Sequence, residues 1–245
     1  MISVHGLTKR YALGSTVITA IDNVSLDVRT GEFLAVGGSS GSGKSTLLNI
    51  IGCLDRPDKG TVVIDGQRTD QLSEKRLNSV RLNNIGFIFQ AFNLISSLTV
   101  YENIELPLLI RKDVSADERR TRVNTFIEKV GLADRRRNKA HELSGGQRQR
   151  VAVARALATR PGIVLADEPT ANLDSHTGIE VINLMHQISR DENTTFIFST
   201  HDPKVMNRAD RLVRLEDGRI IEIVDNAGRD VSIIDKIESA GKYTG

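Results

Sequence analysis

The chain has 245 residues, 26% of them charged and 39% hydrophobic, a composition expected of a soluble globular protein long enough to bury a large core. Its net charge of +2 supplies no basic field, so a nucleic-acid partner is not expected. No run approaches the ~18 apolar residues of a membrane span, so any membrane role has to come through a partner.

The opening segment MISVHGLTKRY lacks the apolar stretch of a signal peptide. Residues 1–36 read as short strands. VITAIDNVSLDVRTGEFLAV alternates in its first part and ends in a compact apolar strand, with Thr30-Gly31 as the turn. After Ser45 the pattern becomes helical, with Leu47, Leu48, Ile51 and Leu54 on one side and Pro57 just past the end. The one cysteine, Cys53, cannot form an internal disulfide and reads as a small buried hydrophobe, which fits a reducing compartment. GTVVIDGQ predicts a hairpin turning at Asp65-Gly66.

Residues 70–160 are polar and helical in period, as in ADERRTRVNTFIEKVGL and GQRQRVAVARALATR. They predict a mostly helical lobe inserted into an α/β domain, its helical subdomain at about 91–160. The charge runs DERRTR and DRRRN read as solvated helix faces. From residue 161 the α/β pattern returns: GIVLADEP and TTFIFSTHD as buried strands, SHTGIEVINLMHQIS as an amphipathic helix, and RLVRLEDGRIIEIV as a hairpin turning at Asp217-Gly218. Residues 226–245 form a short tail with some helical spacing and no assigned role. With no repeat or linker, residues 1–245 are expected to form one nucleotide domain.

The stretch VGGSSGSGKSTLLNI carries the first chemistry. Gly38, Ser39, Ser40, Gly41, Ser42, Gly43, Lys44 and Ser45 fit G-x-x-x-x-G-K-[ST] at every fixed position. A triphosphate needs several backbone N–H groups aimed into one small volume, and only a chain with little Cβ bulk wraps that closely. The loop follows a strand and opens a helix, through Thr46, whose N-terminus adds partial positive charge. Lys44 is expected to reach the β- and γ-phosphates and Ser45 to ligate Mg²⁺. In IVLADEP, Asp167 ends an apolar strand and is expected to hold the metal. Glu168 is expected to point the other way along the pleat and polarise the attacking water.

A third motif, LSGGQ from Leu143 to Gln147, resembles the signature of the ATP-binding-cassette ATPases, and the order of motifs is similar from about residue 2 to 225. The resemblance implies an α/β P-loop NTPase fold with a RecA-like core, an antiparallel β subdomain and an inserted helical subdomain. It implies that Ser144, Gly145, Gly146 and Gln147 cap ATP bound to a second copy of the chain, so that two ATPs are sandwiched in a head-to-tail dimer. It also implies that Tyr11 stacks on adenine, Gln90 touches Mg²⁺ beside Ser45 and Asp167, Asp174 of ANLD communicates across the dimer, and His201 contacts the γ-phosphate. Glu168, His201 and Lys44 are then the catalytic set, with ATP and Mg²⁺ as cofactors.

The interval from Lys44 to Leu143 is too short for the coiled coil of chromosome-maintenance relatives, a single cassette excludes the tandem translation-factor type, and one cysteine excludes zinc-bearing repair relatives. What remains is a separate ATPase subunit on the cytoplasmic face of a membrane, bound to transmembrane permease subunits. LLNIIGCLDRPDKG, IGFIFQAFNLISSLTVYENIELPLL and LADEPTANLDS resemble the subgroup that powers lipoprotein release, macrolide export and antimicrobial-peptide resistance. An importer ATPase and a division-type regulator remain alternatives. Phe92, Leu94 and Leu98 read either as part of a groove for the partner's helix or as lobe core.

Overall fold

A computed structural model describes residues 1–225 and the strand Arg229–Val231. Apart from that strand, the tail lies outside the described residues. Two sheets organise the chain. The first is antiparallel, in the order β2-β1-β4-β5, built from β1 (Ile2–Leu13), β2 (Thr16–Val28), β4 (Lys59–Ile64) and β5 (Gln67–Arg68). The β1–β2 ribbon is longer than the short strands expected. Its register shifts three times between Val4 and Arg10, which interrupts the alternation that marks a continuous strand.

The second sheet runs β11-β10-β9-β3-β8-β7-β6. Its members β3 (Phe33–Gly37), β6 (Ile85–Ile88), β7 (Ile163–Ala166), β8 (Thr195–Thr200) and β9 (Arg211–Glu216) pair in parallel. The edge strands β10 (Arg219–Asp225) and β11 (Arg229–Val231) are antiparallel, with Asp217 and Gly218 between β9 and β10.

The central strands are apolar throughout because both faces are covered. On β3, β7 and β8, the residues Phe33, Ala35, Val164, Ala166, Phe196 and Phe198 enter one core, while Leu34, Val36, Ile163, Leu165 and Ile197 enter the other. The first core includes residues of α3 (Val100–Leu109), α4 (Ala116–Lys129), α5 (Gly145–Ala158) and α6 (Ser175–Glu192). The second includes α1 (Lys44–Ile51), Leu77 of α2 (Glu74–Asn84) and the antiparallel sheet. Cys53 is buried there. Leu54 does not share the buried helical face expected for it: α1 ends at Ile51, and Leu54 lies past it, 48% exposed. Among the described residues no helix is long and apolar enough to cross a membrane.

Candidate active site

The carboxyl ends of β3, β7 and β8 converge, Val36 in register with Ser199 and Ala166 with Phe198. In open parallel sheets this edge is where ligands bind. A cleft of about 550 Å³ opens here, lined by Ala20, Ser39, Ser40, Gly41, Gly43–Thr46, Gln90, Glu168, Ala171 and His201. Gly43 immediately precedes α1 with φ 104°, and a Cβ there would lie 2.3 Å from the Ala20 carbonyl oxygen. A side chain at that position is excluded by both conformation and space.

Lys44 is 94% buried; its Nζ donates to the carbonyls of Gly38 and Ser39, both at 2.9 Å, and lies 3.5 Å from Glu168 Oε1. His201 Nδ1 lies 3.0 Å from Glu168 Oε2. One carboxylate is therefore flanked by an ammonium and an imidazole at the mouth of a glycine-rich loop, an arrangement suited to orienting a water against a bound phosphoryl group.

The way Glu168 reaches this position differs from the expected pleat alternation. β7 ends at Ala166, and Glu168 has φ 46°, a left-handed conformation rare for a residue with a Cβ. The bend, not the pleat, turns its side chain into the cleft. Asp167 Oδ1 accepts from the Ser45 hydroxyl at 2.9 Å. Among the described residues no cluster of three or more His, Cys, Asp or Glu is arranged to hold a metal. A hydroxyl beside one carboxylate is nevertheless a hard-oxygen pair suited to Mg²⁺, which draws its other ligands from phosphates and water. Gln90 lines the cleft, and its backbone carbonyl accepts from Asn172 Nδ2 at 2.9 Å.

Tyr11 does not line the cleft but stands close by. Its hydroxyl donates to Asp55 Oδ2 at 2.7 Å, the Lys9 ammonium lies 5.1 Å from its ring centroid, and the side chain is 38% exposed. Burial and the hydrogen bond to Asp55 raise its pKa. Burial also pushes Asp55 up, but Lys9 and Tyr11 outweigh it and leave its carboxyl below the usual range.

The signature residues share no lining position with the cleft. Ser144 and Gln147 form a capping box at the start of α5: Gln147 N–H donates to Ser144 Oγ at 3.3 Å, and Ser144 N–H to Gln147 Oε1 at 3.0 Å. Gly146 abuts Thr177, where an added Cβ would lie 2.4 Å from Cγ2. Asp174 caps α6 by accepting from Thr177 N–H at 3.0 Å, and that bond lowers its pKa. The three motif stretches 144–147, 172–174 and 177 thus pack as one unit. Phe92, Leu94 and Leu98 are all only half-buried, and the Arg148 guanidinium lies 5.2 Å from the Phe92 ring.

One residue was not anticipated. Ser199 on β8 is fully buried, accepts from Glu168 N–H at 2.8 Å and donates to Asp167 Oδ1 at 2.6 Å. Its only sequence signal is a hydroxyl, with that of Thr200 directly after it, that follows the apolar run Phe196-Ile197-Phe198 and stands two positions before His201.

A glycine-rich cradle, a strand-end carboxylate pair and a cleft at the switch edge of a parallel sheet define a P-loop nucleoside triphosphatase. Residues 21–171 match the family model described as ABC transporter. The chain is 46% identical over 223 residues to an uncharacterized ABC transporter ATP-binding protein, MJ0796, of Methanocaldococcus jannaschii, covering 90% of this chain and 95% of that one. It superposes on a solved dimeric post-hydrolysis state of MJ0796 bound to ADP and Pi with a TM-score of 0.84, at 43% identity, covering 94% and 100% of the two chains. It is 46% identical over 221 residues to a lipoprotein-releasing system ATP-binding protein, LolD 1, of Rhodopseudomonas palustris, covering 90% and 98%. It is also 43% identical over 221 residues to a macrolide export ATP-binding/permease protein, MacB 1/2, of Paracoccus denitrificans, covering 90% of this chain and 33% of that one. The chain belongs to the ABC transporter family, as an ATPase of the LolD/MacB subgroup.

Proposed function

We propose that this chain is the ATP-hydrolysing subunit of a membrane transporter of the export or mechanotransmission type, one that releases lipoproteins or extrudes macrolides or antimicrobial peptides. The observation that carries the catalytic assignment is the grouping of Lys44, Glu168 and His201 at the mouth of the 38–46 cradle. Backbone N–H groups of the loop hold the phosphates, and Lys44 draws charge from the γ-phosphate. Glu168 takes the proton of the attacking water, and His201 holds that carboxylate and the γ-phosphate in place. Ser45, Asp167 and Gln90 would hold Mg²⁺, which offsets charge on the phosphate oxygens when bound. Tyr11 gives the adenine a stacking surface.

In this reading residues 1–245 form one ATPase unit with its helical subdomain at about 91–160. Ser144, Gly145, Gly146 and Gln147 face the ATP of a second copy, and Asp174 links the two sites. Permease subunits hold the pair at the cytoplasmic face of the membrane. The names of the LolD and MacB relatives support the export reading.

Two experiments test this proposal. Lys44→Ala is expected to abolish Mg²⁺-dependent ATP turnover; turnover near wild type overturns the cradle assignment. Tagged Glu168→Gln, recovered from solubilised membranes of its host with ATP and Mg²⁺, is expected to bring down a membrane protein with few spans and a large external domain. A many-span permease with a binding protein would instead identify an importer.

A further inference from the structure

We propose that Ser199 is a positioning residue that sets both active-site carboxylates with one hydroxyl. The inference rests on the ATPase reading above. The direction of its hydrogen bonds follows from chemistry. The Glu168 backbone N–H can only donate, so Ser199 Oγ accepts there, at 2.8 Å. The single hydroxyl hydrogen is then free for Asp167 Oδ1, 2.6 Å away. Both capacities are used at a fully buried position, as a buried polar group requires.

The fold itself gives no reason for a hydroxyl here. Ser199 follows three buried apolar residues, Phe196, Ile197 and Phe198, in a strand that also buries Thr195 and Thr200, and an apolar side chain at this position would serve the packing. What the hydroxyl does is local. Asp167 Oδ1 takes hydrogen bonds from Ser199 and from Ser45, which fixes the carboxylate against the hydroxyl proposed to share Mg²⁺ with it. Glu168 is held at φ 46° by the bond to its N–H, and that conformation delivers its carboxylate to Lys44 and His201. Ser199 therefore ties the metal side of the site to the water side through two adjacent backbone positions.

The test compares full-length Ser199→Ala and Ser199→Thr with wild type. Steady-state kinetics are paired with a binding readout, Mn²⁺ titration of the ATP complex followed by electron paramagnetic resonance. Ser199→Ala is expected to lower kcat and to weaken Mn²⁺ retention, each by about 10–100-fold. Its KM for ATP should stay within about threefold of wild type, and ATP affinity in EDTA should not change. Ser199→Thr, which keeps the hydroxyl, is expected to restore kcat and Mn²⁺ retention. If Ser199→Ala melts lower but keeps wild-type kcat per folded chain and wild-type Mn²⁺ retention, the residue is merely structural and the proposal is wrong. Equal loss in the Ala and Thr variants also overturns it. Should Ser199→Ala fail to fold, Ser199→Cys, matched in volume but a weak donor, carries the same comparison. A wild-type chain that neither binds nor hydrolyses ATP would sink the ATPase reading instead, so the two failures are separable.

Discussion

At the residue scale, Glu168 occupies a backbone conformation that costs of the order of 1–3 kcal/mol for a non-glycine side chain. Such strain persists where the surroundings over-determine it, here through the Ser199 hydroxyl and the flanking Lys44 and His201. Glu168→Gln preserves shape and the backbone bond while removing the carboxylate proposed as the base. It is expected to bind ATP nearly normally and to lower kcat by about 10²–10⁴-fold; a kcat within tenfold of wild type in single-turnover assays would assign the base elsewhere. The cradle lysine, Ser45 and both acidic residues were legible in the sequence because each belongs to a motif with fixed spacing or a strand-end position. Two things were not. The left-handed turn that aims Glu168 leaves no trace in a period-two pattern, and Ser199 is a single hydroxyl whose partners are 31 and 32 positions away.

Among elements, the start of α5 holds a conflict that an experiment can separate. Ser144 and Gln147 are expected to face a second copy's nucleotide, yet their side chains cap their own helix. Ser144→Ala should therefore cost about 1 kcal/mol of stability, a fall in Tm of about 2–4 °C for a domain of this size. An unchanged Tm would mean the capping box adds nothing. Asp55, in the segment after α1, bonds to Lys9 and Tyr11 of β1, and its pKa is lowered in the folded state. A depressed carboxylate contributes stability that is complete above its unfolded value and lost as pH falls through the folded one. The gap in urea midpoint between wild type and Asp55→Asn should stay constant from about pH 7 to 5 and close below about pH 4. A gap that widens on acidification would reverse the sign. Legibility at this scale followed burial. The spacing of Val123, Phe126 and Ile127 makes α4 readable, whereas α2 buries only Leu77 and α3, though opened by the Thr99–Glu102 capping box, carries Pro107 within it, so neither shows a clean helical period to its end.

For the whole molecule, the question is whether one chain makes a complete site. The cleft is lined by the cradle, Gln90, Glu168 and His201, while residues 144–147 belong to a separate packed unit with Leu173 and Thr177. A bound ATP would have protein on one side and, at the mouth of an open cleft, solvent on the other. Closing that side with the helix N-terminus and bare glycines of a second copy would exclude water and add donors to the γ-phosphate. Turnover would destroy the bridging ligand, so the closed pair should accumulate only when hydrolysis is blocked. Glu168→Gln with ATP is therefore expected to elute at twice the 26.9 kDa of one chain. The dimer fraction should rise with protein and ATP concentration, as required for ligand-linked association. Adding Ser144→Ala or Lys44→Ala should return it to monomer, the first by removing the capping hydroxyl and the second by removing the nucleotide. Light scattering that finds only monomer at high protein and ATP concentrations would leave the cradle chemistry intact and reject the sandwich.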